Sequence, residues 1–415
     1  MKFSFSWLKD YLETDLSADE VGDVLTDTGL EVESLINPRK RLGQLSVGEV
    51  LKVDKHPNAD KLKVCEVKSN TGILNIVCGA PNVSKGMKVV VAKPGDFIPG
   101  LNINLKLSKI RDVKSEGMMC SERELEISDE HDGILELPSE TEVGTLFSEL
   151  VGDEKTVFEV AITPNRPDAL GIYGIARDLS ASGVGNLRVT NTPKLEGSFK
   201  SHFTIKLDNE VASKGCPHFV GRYFRGVQNK ESPLWLKQRL ISIGLNPISV
   251  LVDITNYLTF DRGRPLHVFD ADKLVGGLTV RKSYKGEKFH ALDDKIYELD
   301  EGMIVITDEK EIVSLGGIIG GMKSGVSNET QNVVLEAAYF DPKSIASTGR
   351  KLQINSDARY RFERGVDPSF TLAGAHIATK MILDLCGGQA SELIIAGTEP
   401  AFEKKLYSTL KRLMN

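Results

Sequence analysis

The segment His56-Pro57-Asn58-Ala59-Asp60-Lys61-Leu62 puts an imidazole, an amide, a carboxylate and an ammonium into one proline-led turn. Such a turn can expose side-chain and backbone donors to a phosphate. Lysines at 52, 55, 61, 63, 85, 88 and 93 add local positive charge around it. Taken singly, each lysine reads as a solvated side chain balanced by nearby Asp and Glu. His56 reads as a turn or RNA-contact residue rather than a metal ligand. Aromatic residues for base stacking are scarce here, Phe97 being the main candidate, so shape and backbone contacts are expected rather than base readout. Further on, His267 has the side chain of a general base, yet on its residues alone it is a satisfied histidine closing a Pro-led turn. Glu336 on the same footing is a helix- or strand-end carboxylate paired with an arginine such as Arg359 or Arg361. The glycine-rich stretch from Gly316 to Gly325 lacks the Gly-x-x-x-x-Gly-Lys-Ser/Thr spacing of a phosphate loop.

The elements that must position these groups belong to a chain of 415 residues, too long for one ordinary core and sized for two to four domains. Its 40 % hydrophobic and 27 % charged residues are ordinary for a packed protein. A formal charge of −6 gives no global attraction to nucleic acid, so any RNA contact must come from local basic patches. No stretch approaches the roughly 18–20 apolar residues of a membrane span, and the N-terminus lacks a secretory signal. The five cysteines, Cys65, Cys78, Cys120, Cys216 and Cys386, form no Cys-x-x-Cys pair. This disfavours a disulfide framework and a zinc site, so reduced thiols, no metal and a cytoplasmic protein are expected.

Phe5, Leu8, Tyr11 and Leu12 fall at helical spacing, and Ser17-Ala18-Asp19-Glu20 signals a second helix that Gly29 stops. A short strand is expected over Leu30–Glu33, and Arg39-Lys40-Arg41 reads as a linker. From about 42 to 150 short β runs alternate with Gly and Pro-Gly turns, the pattern of a small all-β barrel. Helix and strand then mix to the end. The fold class expected is multi-domain α+β. It comprises a small N-terminal α/β domain (1–41, returning at 151–195), an inserted OB-fold barrel (42–150), and a mixed α/β domain (196–398). A further module begins at 399–415.

Three blocks, the His56–Leu62 turn, Cys78-Gly79-Ala80-Pro81-Asn82-Val83 and Ser115-Glu116-Gly117-Met118-Met119-Cys120-Ser121, resemble in order and spacing the tRNA-binding OB domain shared by several synthetases. A second set covers the rest of the chain. It comprises Phe158–Asp168, Val252-Asp253-Ile254-Thr255-Asn256-Tyr257, Gly263–Asp270, Gly316–Gly321, Asn328–Glu336 and Ser356–Pro368. This ordered set resembles the front half of the phenylalanine–tRNA ligase β subunit family, including its editing domain.

The resemblance implies tRNA contacts at His56, Asn58, Lys61, Asn82 and Ser115. It implies that Glu336 accepts the phenolic O–H of a mischarged tyrosyl ester, since a site built to bond a hydroxyl discriminates where an apolar slot cannot. Gly317 and Gly320 leave room for the ring, Ser356 and Ala358 line the same wall, and Thr255, Asn256 and His267 stand near the ester. The family is expected to rely on a positioned water and a ribose hydroxyl rather than a strong base. One departure stands out: Gly244-Leu245-Asn246 carries an asparagine where the family commonly places an arginine, losing a charge and a planar fork. The expected partners are tRNA(Phe) and an α subunit, in a heterotetramer of two α and two β chains, with no membrane. ATP and Mg2+ are expected to serve the full enzyme and not this segment, which is read as cut after the editing domain and unable to aminoacylate. The rival reading is a non-catalytic tRNA-binding OB-fold protein, which has no need of the blocks from Thr255 to Ala358.

Overall fold

The structure, a computed structural model, describes residues 1–128, 130–151 and 155–401. Most of the module expected at 399–415, residues 402–415, lies outside the described residues.

Helix Ala18–Asp27 begins at a reciprocal cap. The Glu20 amide bonds to Ser17 Oγ while the Ser17 amide donates to the Glu20 carboxylate at 2.8 Å. Val21 and Leu25 bury one face of it, and Gly29 at φ +86° turns the chain away. Of the helical run expected from Phe5 to Leu12, only Phe5–Leu8 is helix. Leu12 pairs with Leu187 instead, a distant partner overriding local periodicity. The strand expected over 30–33 lies at Val32–Ile36, and the basic linker is a short helix, Pro38–Arg41, capped by Asn37.

Strand Val157–Val160 sits between Lys2–Ser4 and Val32–Ile36 and pairs antiparallel with both. The first sheet is therefore completed only when the chain returns. Everything between is an insertion into it.

The inserted segment forms an antiparallel sheet in the order Met118–Met119, Lys88–Ala92, Ser46–Lys55, Lys63–Ser69, Gly72–Cys78, with Glu136–Leu137 also on Lys88–Ala92. Alternation along Lys88–Ala92 feeds two cores. Val89 and Val91 join Val50, Cys65 and Ile76, while Val90 and Ala92 join Leu45, Ile98 and Phe147. The ladder path is open rather than closed. Its ends approach through single bonds, with the Glu116 amide donating to Asn75 O at 2.7 Å and the Val77 amide to Ser115 Oγ at 3.1 Å.

The remaining chain builds two larger sheets and the hairpin of Glu287–His290 with Ile296–Leu299. One sheet has five strands, in the order Ile205–Leu207, Leu278–Lys282, Ile304–Thr307, Ile312–Leu315, Ile319–Gly320. The other runs antiparallel as His267–Asp270, Val333–Tyr339, His218–Arg225, Gln389–Gly397. Val334 and Ala338 face the core that the second sheet shares with the first, whereas Val333, Leu335 and Ala337 face helices Val250–Arg262 and Phe370–Cys386. By that period of two, Glu336 points into the inter-sheet core. All five cysteines are buried and free. Among the described residues no helix is long and apolar enough to cross a membrane.

Candidate functional site

Strand Val333–Tyr339 reads VVLEAAY, every residue buried, with one carboxylate on its core face. Across the ladder Glu336 is opposite His267 on one side and Gly221 on the other. The glycine matters, because a Cβ at 221 would lie 2.2 Å from Ile205 Cδ1. His267 and Glu336 share a cavity of about 110 Å³ with Pro265, Leu266, Ser314, Gly317, Ile318, Ile319, Gly320, Ala358 and Phe362. That volume is of the order of the ~150 Å³ apolar cavity known to hold a benzene ring. It suits a ring, not a nucleotide.

The two polar groups are unspent. Glu336 Oε2 and His267 Nε2 are both buried and neither has a hydrogen-bond partner. Burial disfavours the charged form of each. It pushes the Glu336 carboxyl up to about 8, partly opposed by the Arg264 guanidinium, and the His267 imidazole down to about 4. Near pH 7 the cavity thus presents a mostly neutral carboxyl, able both to donate and to accept, and a neutral imidazole. Orphaned buried polar atoms of this kind each cost about 1–3 kcal/mol, so an arrangement holding two of them is poised for a polar ligand.

Arg264 is the fixed charge of the region. Its Nη2 donates to Ala338 O (2.8 Å) and Thr371 Oγ1 (2.7 Å), and its Nη1 to Asp367 O (3.1 Å). Its Nε is left without a partner. The arginines considered as partners for Glu336 are engaged elsewhere. Arg359 bonds Glu363 and Arg361 bonds Asp357.

The glycines work in different directions. A Cβ on Gly320 would stand 2.6 Å from His267 Cε1, so this glycine makes room for the imidazole. A Cβ on Gly317 would meet Phe340 and Ile345, in the core, and its φ of +68° already favours glycine. Ala358 lines the cavity with Phe362, its i+4 neighbour on helix Asp357–Phe362. Ser356 caps that helix, accepting from the Arg359 amide, and donates to Ile318 O at 2.7 Å. It ties the helix to the turn above the cavity rather than lining it. Thr255 and Asn256 are not among the lining residues. They ride on helix Val250–Arg262, which packs on the opposite face of the sheet, and Thr255 Oγ1 donates to Val252 O at 2.7 Å. Asn246 is exposed in the loop before that helix. Phe362, Ser314 and Arg264 escaped the sequence reading. The i, i+4 spacing of Ala358 and Phe362 was the available signal for the first.

In the inserted sheet the motif side chains are mostly consumed internally. Asn82 accepts from the Ile134 amide (3.0 Å) and donates to Ile134 O (2.8 Å), imitating a strand pair. Ser115 accepts from Val77 and donates to Gly117 O at 3.0 Å. His56 Nδ1 accepts from the Asn58 amide at 3.1 Å, so its Nε2 carries the proton donated to Ile110 O at 3.1 Å. Asn58 donates to Arg111 O at 3.2 Å, while Lys61 is exposed.

Two regions of defined type follow, a strand-rich insertion with exposed cations and a two-sheet unit with a ring-sized polar hollow. Comparison with known families gives each a description: residues 45–146 match the tRNA binding domain and residues 215–387 the B3/4 domain. The chain belongs to the phenylalanine–tRNA ligase beta subunit family, as the counterpart of its N-terminal half. It is 53 % identical to the beta subunit of Ruegeria pomeroyi over 405 residues, 96 % of this chain and 50 % of that one. It is 52 % identical to that of Rhodospirillum rubrum over 408 residues, 98 % and 51 %. The chain thus spans about half the length of these relatives. An N-terminal fragment of the Pyrococcus horikoshii phenylalanyl-tRNA synthetase beta-subunit matches at 19 % identity and a TM-score of 0.27, over 44 % of this chain and 55 % of that one.

Proposed function

We propose that this chain is the tRNA-gripping and proofreading half of a phenylalanine–tRNA ligase β subunit, and that the cavity hydrolyses tyrosine mischarged onto tRNA(Phe). The observation that carries the proposal is the unpartnered Glu336 Oε2 inside a ring-sized hollow. A tyrosyl ring entering that hollow brings the hydroxyl that the carboxyl lacks, whereas a phenylalanyl ring leaves it unpaired. The His267 imidazole, neutral and at the same wall, is the group to orient the attacking water or the terminal ribose. Ala358 and Phe362 grip the ring, Gly320 keeps the imidazole in place, and Ser356 holds the wall. Thr255 and Asn256, across the sheet, are given no contact with the ester.

The proposed division is an N-terminal domain from residues 1–41 and 151–195, an OB-fold barrel at 42–150, and an editing domain at 196–398. The partners proposed for the whole protein are tRNA(Phe) and an α subunit carrying the ATP- and Mg2+-dependent attachment of phenylalanine. No group of three or more His, Cys, Asp or Glu side chains able to hold a metal lies among the described residues.

The test is deacylation of tyrosyl-tRNA(Phe) against phenylalanyl-tRNA(Phe), with Glu336→Ala and His267→Ala alongside. Faster loss of the tyrosyl ester, abolished in both variants, is expected. Background loss of both esters by the unaltered chain would reduce it to a tRNA binder.

A further inference from the structure

The hairpin of strands Ser108–Ile110 and Val113–Ser115 turns through Arg111 and Asp112, with φ of +46° and +74°. This two-residue turn has the geometry that Asn-Gly or Asp-Gly fills most comfortably. An arginine there is held in a region that non-glycine residues seldom adopt. Lys109 and Lys114 lie directly opposite each other in the ladder, both exposed. Like charges in that position destabilise a hairpin, and each is offset by an acid, Asp112 at 3.1 Å and Glu116 at 2.8 Å. Across the junction Lys55 faces Lys63 in the same way. Lys55, Lys61 and Arg111 have no ion pair among the described residues; Asp54, Asp60 and Asp112 are the exposed acids beside them, Asp54 and Asp112 being paired to Lys52 and Lys109.

Folding needs none of these choices. Neutral residues in the strands and Asn-Gly in the turn would make a more stable hairpin. The fold nevertheless fastens this strained tip. His56 Nε2 bonds Ile110 O and Asn58 bonds Arg111 O, both on the tip's backbone, while His56 Nδ1 holds its own turn. These bonds join the His56–Leu62 turn and the hairpin tip into one ridge, leaving Lys55, Lys61, Lys109, Arg111 and Lys114 to project from it.

We infer that this ridge is the RNA-gripping edge of the insertion. Arg111 at the tip and the Lys109–Lys114 pair behind it take phosphates of a folded RNA backbone, and His56 and Asn58 brace the ridge without touching RNA themselves. The inference rests on the tRNA-binding reading proposed above and changes which residues do the binding. It assigns no base readout, because the ridge offers cations and no aromatic ring.

The test uses the whole chain and a tRNA(Phe) transcript, with affinity measured by fluorescence anisotropy between 50 and 200 mM salt. Arg111→Asn suits the left-handed backbone, so thermal stability is expected to hold or rise while affinity falls about five- to tenfold near 100 mM salt. The slope of log affinity against log salt should flatten by about one unit. Lys109→Gln with Lys114→Gln should flatten it by about two, and Lys285→Gln, in the distant two-sheet unit, should change neither. Unaltered affinity and slope in Arg111→Asn, beside an unaltered chain that binds, overturn the ridge alone. Failure of the unaltered chain to bind at 50 mM salt overturns the tRNA-binding reading as well. Loss of affinity for poly-glutamate but not for tRNA overturns the ridge in favour of a protein partner.

Discussion

The insertion and the two-sheet unit treat their polar side chains in opposite ways. In the insertion Asn82, Ser115 and His56 spend their hydrogen-bonding capacity on backbone atoms far along the chain. Those bonds fix the shape of the insertion. Gly133 and Gly117 fit the same scheme, since a Cβ on the first would stand 2.7 Å from Asn82 Oδ1 and on the second 2.8 Å from Ala92 O. In the two-sheet unit Glu336 and His267 keep atoms unspent in a hollow of about 110 Å³. A satisfied buried polar group is evidence for architecture, and an unsatisfied one beside a cavity is evidence for a ligand. By that criterion the binding surface of the insertion must be sought on its outside, in cations the interior does not use.

The sharpest way to break this contrast is Glu336→Ala. It should lower the preference for tyrosyl- over phenylalanyl-tRNA hydrolysis by about 100-fold, because a pocket built to bond a substrate hydroxyl discriminates far beyond an apolar one. A preference that survived would remove Glu336 from recognition. Next comes Gly320→Ala, whose added methyl must displace the imidazole or Leu292 Cδ1 at 3.0 Å. Urea titration should show a loss of about 1–3 kcal/mol, with hydrolysis impaired as in His267→Ala.

The third is a pH experiment. The Glu336 carboxyl, raised to about 8, keeps a proton that the unfolded chain releases above 4.5, so its contribution to stability declines as pH rises through that window. His267, lowered to about 4, acts oppositely between about 4 and 6.5 and is level above that. Glu336→Gln removes only the first effect. Measured by urea unfolding, its stability relative to the unaltered chain should therefore increase by about 2 kcal/mol from pH 6 to pH 8. A constant difference would mean that the carboxyl is charged and paired in solution. The smallest effect expected is Asn82→Ala, which should cost about 1–2 kcal/mol through the lost bonds to Ile134. Its tRNA affinity should be unchanged once folded. A selective loss of affinity would return Asn82 to the binding surface.

Much of this was legible beforehand. The β runs of the insertion are short and punctuated by turn residues, and strands at 46–55, 63–69, 72–78 and 88–92 fall on those runs. The blocks around His267, Gly320, Glu336 and Ala358 meet at one cavity although far apart in the chain. Thr255 and Asn256, adjacent in motif to these, are separated from them by the thickness of a sheet, because helix Val250–Arg262 covers the other face. Motif adjacency carries no information about which side of a sheet a helix takes.

Composition, periodicity and motif order by themselves determined the family, the alternation of strands and helices, and the short set of side chains around which a site could form. Those properties are local, written in spacings of two and of three to four residues, or in types that survive without a partner. Only the tertiary structure decided that Val157–Val160 enters the middle of the first sheet, that Gly320 yields space to an imidazole while Gly317 yields it to Phe340, and that His56 bonds the backbone of a hairpin 54 residues away. Each of these turns on an atom contributed from elsewhere in the chain, and whether a polar group is satisfied is an accounting that closes only in three dimensions.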